Sequence, residues 1–562
     1  MAGHPSRRRE IASLAAELGP SVPIYLVLQI AFGFAPAGLI LLTATAVGPS
    51  PPPVPVLVAW LGGILLIGTI ADAVSPGLRS QIGDRTSMVL RRRWMTKVAF
   101  WRTLRVFEEP ELVRLRSEAE RAIAALVNVP VLLGLITASL AGIAPVAGAA
   151  VSISPWIVLA AVAGGLPLAF GLSALYRRAW DARSVRLPLV LRGEGLADAA
   201  TDARAASDLR SFELAPWVSR SWLATQTRLL REVGAVRRRT TVHVTAWSLV
   251  GTGILIAALF ALVPAESSPA DLVILIGLLL QVTTSLAVLV QAAGDLAQVT
   301  RPLQAYLAFV THEEESPLDA AEASWMGTRE AVYTYPGAAA PSLDRLTCRF
   351  EPRALNVVVG PNGAGKSTLI RLLDETSEPD RGSVSLGTRG QRAVMHQDFA
   401  RFPFSVRENV TAGRNHDDAD VWEVLDVVGL SDKVRSLPSG LDAPLHRDST
   451  DTATELSGGQ WQRLAVARLL LRARTADIVV LDEPTAALDA LSEIELLDRV
   501  MQLLVGKTVI LVTHRMQWAR RAARIVEVTS PSRAREGTHE ELLRLGGWYA
   551  DAFAAQASAF TD

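Results

Sequence analysis

Six apolar stretches within the first 300 residues, at about 22–47, 54–74, 122–144, 153–176, 242–263 and 271–294, set the strongest limit on what this chain can fold into. Each reaches or approaches the roughly 20 residues that a helix needs to cross a bilayer core. Within lipid every backbone N–H and C=O must be satisfied by the segment itself, so runs of this kind are read as spanning helices. The joints between them differ in charge. Gly48–Pro53 and Pro145–Ser152 carry none, and Pro264–Asp271 carries only Glu266 and Asp271. Arg79–Arg121, by contrast, holds eleven Arg or Lys, and Arg177–Arg239 holds thirteen Arg. Basic loops stay in the cytoplasm, so the asymmetry predicts a multi-pass protein of the cell membrane with both termini inside and three short turns outside. The two basic segments show helical periodicity, as in Val106–Leu115. They predict membrane helices that run on into the cytoplasm and end in short cross-pieces.

Composition agrees. A chain of 562 residues implies at least two domains, and 50% hydrophobic against 20% charged residues is apolar for a soluble protein. The net charge is zero, so nothing global points to a nucleic-acid partner. Cys348 is the single cysteine, which excludes an internal disulfide framework and a Cys-based zinc site. The basic start Met1–Arg9 is not closely followed by a short apolar run with a cleavage site, so no cleaved signal peptide is expected. Tyr25 and Gln29 lie in the first span, and Gln281, Thr284, Ser285 and Gln291 share one helical face of the last. Such groups either face a water-filled path or bond neighbouring helices.

Beyond about Thr300 the spans stop. Thr311–Pro317 is polar and reads as a linker or helix end, and a soluble α/β pattern begins near Arg329. The expected division is a transmembrane domain over 1–305, a linker over 306–328 and a nucleotide-binding domain over 329–562. The strongest signal is Asn356–Ile370, in which an apolar strand runs into Gly360, Pro361, Asn362, Gly363, Ala364, Gly365, Lys366, Ser367 and Thr368 and then a helix. That is a P-loop in its required context, where backbone N–H groups curl around phosphate oxygens at a helix N-terminus. Lys366 is one of only four lysines among 56 basic residues. It is placed to reach the β- and γ-phosphates, and the Ser367 hydroxyl to bind Mg²⁺. A second strand, Ile478–Leu481, ends in Asp482 and Glu483. Asp482 is the expected partner of Mg²⁺, and Glu483 is placed to orient or deprotonate the attacking water.

Further segments resemble elements of the ABC transporter family. Glu455–Arg463, containing Ser457, Gly458, Gly459 and Gln460, looks like the ABC signature. Gln397 resembles the Q-loop glutamine, Asp489 the D-loop aspartate, His514 the switch histidine, and Tyr335 the aromatic that stacks on adenine. Six spans followed by one cassette is the layout of an exporter-type half-transporter. Phe107–Glu111 and Asp208–Trp217 look like its two coupling helices. The wording of Gln397–Arg401, Ser405–Asn409 and Leu456–Gln462 is most similar to a bacterial subgroup that includes lanthipeptide exporters.

The resemblance implies a membrane α-helical bundle of six transmembrane helices plus a P-loop α/β nucleotide-binding domain with a helical subdomain near 405–475. It implies ATP and Mg²⁺ as cofactors, with Glu483, His514 and Gln397 catalytic and Ser367, Gln397 and Asp482 at the metal. It implies a second half-transporter chain as partner, in a homodimer or heterodimer, and a transported substrate such as a peptide or hydrophobic natural product. A lipid or drug exporter, an importer on the same fold, and a membrane-anchored ATPase sensor are the alternatives. Ile525–Arg533 departs from the family pattern and reads as a looser loop, and Thr538–Glu541 as a capping box that opens the last helix.

Overall fold

The computed structural model describes residues 4–48, 50–153, 155–156, 158–165, 167, 187–202, 205–262, 268–313, 325–386, 391–445, 455–485 and 490–558. The chain divides into two compact units. Met1–Phe100 with Arg114–His312 form one, and Trp101–Val113 with Glu313–Asp562 form the other.

The first unit is helical. Its elements are α1 (His4–Leu18), α2 (Ser21–Val47), α3 (Val54–Ala99), α5 (Pro110–Leu126) from Arg114 onward, α6 (Val129–Ile153), α7 (Leu187–Thr201), α8 (Ala206–Ser211), α9 (Ala215–Leu262) and α10 (Pro269–Val310), with α4 (Arg105–Glu108) belonging to the second unit. Among the described residues five helical segments are long and apolar enough to cross a membrane: Ser21–Val47, Val54–Ala99, Pro110–Val151, Thr241–Ala258 and Pro269–Val310. These cover five of the six expected spans; half of 153–176 lies outside the described residues. The helix α3 continues well past its apolar run, as the basic segments require, and α1 is tied to it by ion pairs of Arg93 with Glu10 and Glu17.

One joint differs from expectation. Pro145–Ser152 is not a turn but part of α6, with Pro145 inside the helix. Ending a helix in an apolar run leaves carbonyls unpaired, whereas a proline removes one hydrogen bond, so the helix continues. A break occurs instead at Val127–Asn128, next to Pro130. The last span opens with Ser268, which accepts from the Asp271 N–H in a capping box.

Packing here depends on small residues. A Cβ on Gly33 would lie 2.0 Å from the Ala138 carbonyl oxygen, so α2 and α6 approach backbone to backbone. The polar side chains in the spans serve the helices themselves. Gln29 donates to Ser75 Oγ at 3.0 Å across α2 and α3, and Gln281 donates to Ser285 Oγ at 2.9 Å. Ser285 is buried, whereas Thr284 and Gln291 are exposed.

The second unit holds two sheets. The smaller is antiparallel in the order β2 (Leu343–Arg349), β1 (Met326–Tyr333), β4 (Arg381–Leu386). Cys348 is buried there, and burial pushes its thiol up to about 12. The larger sheet has the order β5 (Arg392–Met395), β6 (Ile478–Asp482), β7 (Thr508–Val512), β3 (Leu355–Val359), β8 (Arg524–Ser530), β9 (Arg533–Gly537). It is parallel except for the β8–β9 pair. Its central strands are buried on both faces, which is why they read as unbroken Val/Ile/Leu runs.

Helices cover the sheet: α11 (Lys366–Leu373), α12 (Val406–Thr411), α13 (Asp418–Val427), α14 (Ser431–Arg435), α15 (Gly458–Ala473), α16 (Ala490–Leu503), α17 (Met516–Arg521), α18 (His539–Leu545) and α19 (Trp548–Ser558). The expected helical subdomain is α12 to α15. Two further readings change. Ser530 pairs with Arg533, so Pro531 and Ser532 form a tight hairpin turn and not a loose loop. Proline sets the φ that such a turn needs at its first corner. The Thr538 capping box is present, but Gly546–Gly547 end α18 and another helix follows.

The short helix α4 (Arg105–Glu108) packs within this second unit. Val106 is fully buried, the Leu104 N–H donates to the Thr376 carbonyl at 2.8 Å, and Glu108 pairs with Arg371. In contrast, α8 buries none of its residues.

Candidate active site

Four adjacent parallel strands, β5, β6, β7 and β3, point their carboxyl ends the same way and deliver the site. Gln397 follows β5, Asp482 and Glu483 end β6, His514 follows β7, and the P-loop follows β3. Residues far apart in sequence meet because the sheet places their strand ends side by side.

The P-loop needs glycine for stated reasons. Gly360 has φ +154°, and a Cβ there would sit 1.9 Å from the Val528 carbonyl oxygen. Gly363 also has positive φ but faces open space. Gly360→Ala is therefore expected to lower stability by about 3 kcal/mol and Gly363→Ala by about 1 kcal/mol. Thermal unfolding of the two variants in parallel checks this, and equal midpoints would contradict the contact.

Lys366 is buried, and its Nζ donates to the Gly360 and Pro361 carbonyls at 2.9 Å each. Burial lowers its pKa, while the charges of Glu483 and Asp482 act the other way. The lysine thus holds positive charge in the mouth of a loop of backbone donors, which suits phosphate.

Asp482 is 3% exposed, and among the described residues its Oδ1 has no hydrogen-bond partner. Burial raises its pKa, and the neighbouring Glu483 charge adds to this, against hydrogen bonding from Ser367. A buried carboxylate with an unpaired oxygen beside a serine hydroxyl is the oxygen-donor set that Mg²⁺ uses when phosphates supply the remaining ligands. Asp482 and Ser367 therefore fit the cation.

Glu483 is held from several directions. Its backbone is left-handed, at φ +48°, and its N–H donates to the Val512 carbonyl at 3.1 Å. His514 Nε2 lies 2.8 Å from one carboxylate oxygen, and Gln397 Nε2 donates to the other at 3.2 Å. Such strain persists only where surrounding contacts over-determine the residue. The carboxylate so placed can orient or accept a proton from a water at the γ-phosphate.

The remaining expected residues sit as follows. Tyr335 lies beside α11, with its hydroxyl 3.1 Å from Thr368 Oγ1 and the Arg371 guanidinium 5.4 Å from its ring centroid. Ser457 caps α15: its hydroxyl accepts from the Gln460 N–H at 3.3 Å, and Gln460 Oε1 accepts from the Ser457 N–H at 2.9 Å. Among the described residues Ser457, Gly458, Gly459 and Gln460 make no hydrogen bond to the P-loop. Asp489 lies outside the described residues. Two further residues support Glu483 and the loops around it. The buried Gln462 donates to the Glu483 carbonyl at 3.4 Å. Glu493, also buried, accepts from Thr485 Oγ1 at 2.8 Å and pairs with Arg515. Both are common polar residues in helices and become notable only through their partners.

Residues 343–486 match the family model described as ABC transporter, which implies ATP binding. Over 98% of each chain, the structure is similar to that of a bacterial Atm1-family ABC exporter with ATP bound, at a TM-score of 0.71 and 19% identity. The fold is that of an ABC exporter. Among curated relatives, the chain is 33% identical over 290 residues to an ATP-dependent lipid A-core flippase of Burkholderia orbicola (strain AU 1054), covering 48% of each chain. It is 36% identical over 197 residues to a glutathione/L-cysteine transport system ATP-binding/permease protein of Bacillus subtilis (strain 168), covering 33% of each. The chain thus spans about half or less of the length of these relatives. Neither of these two curated relatives is named a lanthipeptide exporter.

Proposed function

We propose that the chain is one half of an ATP-driven exporter, with the membrane domain over 1–305, a linker over 306–328 and the ATP-binding cassette over 329–562. The observation that carries this reading is the convergence of Lys366, Asp482, Glu483, Gln397 and His514 at the ends of four adjacent strands. Lys366 and the loop amides hold the phosphates, Ser367 and Asp482 hold Mg²⁺, which offsets phosphate charge when bound, and Tyr335 stacks on adenine. Glu483 positions the attacking water, oriented by Gln397 and His514.

A second chain, identical or related, supplies the signature residues Ser457, Gly458, Gly459 and Gln460 and the D-loop Asp489. Two features support the second chain. The signature caps its own helix, and among the described residues it makes no hydrogen bond to the P-loop. The helix α8 buries nothing, with Phe212 and Trp217 beside it exposed. The positive-inside asymmetry supports a cytoplasmic position for both termini and the cassette.

The cargo is an amphiphile with apolar surface. Lipid is the first reading, because several relatives are named lipid flippases. A peptide or hydrophobic natural product is the second, favoured by the motif wording. In liposomes carrying the purified protein with cassettes outward, Mg²⁺ and ATP are expected to move a labelled lipid between leaflets, and Glu483→Gln to stop it. Hydrolysis without movement of lipid, peptide or drug-like probes would favour the membrane-anchored sensor.

A further inference from the structure

We propose that Gln556, near the end of the C-terminal helix α19, is a positioning residue for His514, so that docking of this helix governs the rate of ATP turnover. The inference rests on the reading above that His514 serves hydrolysis.

On α19, Tyr549, Phe553 and Gln556 stand at i, i+4 and i+7 and share one face. The first turn is anchored. Tyr549 is fully buried, its N–H donates to the Glu527 carboxylate at 2.9 Å, and its hydroxyl lies 2.7 Å from His539 Nδ1. Glu527 is itself fully buried and held by Arg535. Phe553 continues the face, stacked on Tyr549. Two turns along from Tyr549, the Gln556 carboxamide meets the loop after β7 with both ends. Its Oε1 accepts from the Met516 N–H at 3.0 Å, and its Nε2 donates to the His514 carbonyl. A carbonyl on one side and an N–H on the other fix which end of the amide faces which.

Met516 opens α17, and the residue before it, Arg515, makes no side-chain cap. Gln556 therefore satisfies a helix-terminal N–H and holds the backbone on both sides of Arg515. The His514 imidazole, 2.8 Å from Glu483, is aimed from that clamped backbone. Without the clamp the ring can shift by about 1 Å, enough to reduce catalysis without altering the P-loop.

The test uses the full-length protein and compares Gln556→Leu, Gln556→Glu, His514→Ala and wild type. Gln556→Leu is expected to lower kcat about tenfold with KM for ATP within about twofold of wild type, a split that loss of fold would not give. The Met516 amide should exchange with solvent faster in that variant. Gln556→Glu keeps the acceptor for Met516 but sets a carboxylate oxygen against the His514 carbonyl, and should be at least as slow. Wild-type turnover in Gln556→Glu would mean the helix acts by packing alone and overturns the inference. So does wild-type turnover in Gln556→Leu when His514→Ala is inactive. Wild-type turnover in His514→Ala removes the underlying reading as well, and that variant alone tells the two failures apart.

Discussion

Glu483→Gln is expected to cut ATP turnover by about three orders of magnitude while ATP binding persists. The side chain is the same size and keeps an oxygen and a nitrogen where the carboxylate has two oxygens. It therefore leaves the left-handed backbone at φ +48° and the N–H bond to Val512 undisturbed. What it removes is the negative charge between His514 and Gln397, which orients water and draws its proton. The phosphate site is built elsewhere, by Lys366 and the loop amides. Binding of a fluorescent ATP analogue should thus stay within a few-fold of wild type, while phosphate release disappears. Lys366→Ala is the matched control and should lose both. Near-normal hydrolysis by Glu483→Gln would remove Glu483 from the chemistry.

Asp482→Asn is expected to act in opposite directions on stability and on activity. The native carboxylate is buried with one oxygen unpaired, and its pKa is raised by burial and by the charge of Glu483. An acid whose folded pKa lies above its unfolded value binds more protons when folded, so stability falls as pH rises through that range. Above that range the full cost is present. The amide carries no charge to desolvate, so the nucleotide-free variant should be more stable than wild type by about 1–3 kcal/mol. That advantage should vanish at pH values low enough to protonate Asp482. With Mg²⁺ and ATP the order should reverse, because the cation relieves the buried charge of the native protein and has one ligand fewer in the variant. Hydrolysis should fall by about a hundredfold or more. Unfolding midpoints with and without Mg²⁺–ATP read the crossing directly. A nucleotide-free variant less stable than wild type would show that the carboxylate is better satisfied than its environment indicates.

Apolar runs carry membrane helices in any sequence context, because lipid offers no partner for the backbone. Five of the six spans were legible for that reason, as were the helices that continue beyond them. The P-loop and the strand ending at Asp482 were legible because phosphate and metal chemistry restrict the residues allowed at those spacings. Where a run ends is less restricted. Pro145 reads as a turn in the letters, yet α6 passes through it, since a continuing apolar helix satisfies its backbone better than a turn would. Pro531 and Ser532 read as loose, yet pairing of Ser530 with Arg533 closes them into a hairpin.

The support of the site was not legible at all. Gln462 lies within the signature segment, but neither it, Glu493 nor Gln556 shows its partner in the letters around it. Each acquires its role from a hydrogen bond to a residue 21, 8 or 42 positions away. Hydrogen bonds act over about 3 Å in space, whatever the separation along the chain. The chemistry of the site follows from residue types at short spacing, and so can be read from the letters alone. The aim of His514 and Glu483 depends on which distant backbone and side-chain groups the sheet and the C-terminal helix bring within hydrogen-bonding distance, and only the folded chain decides that.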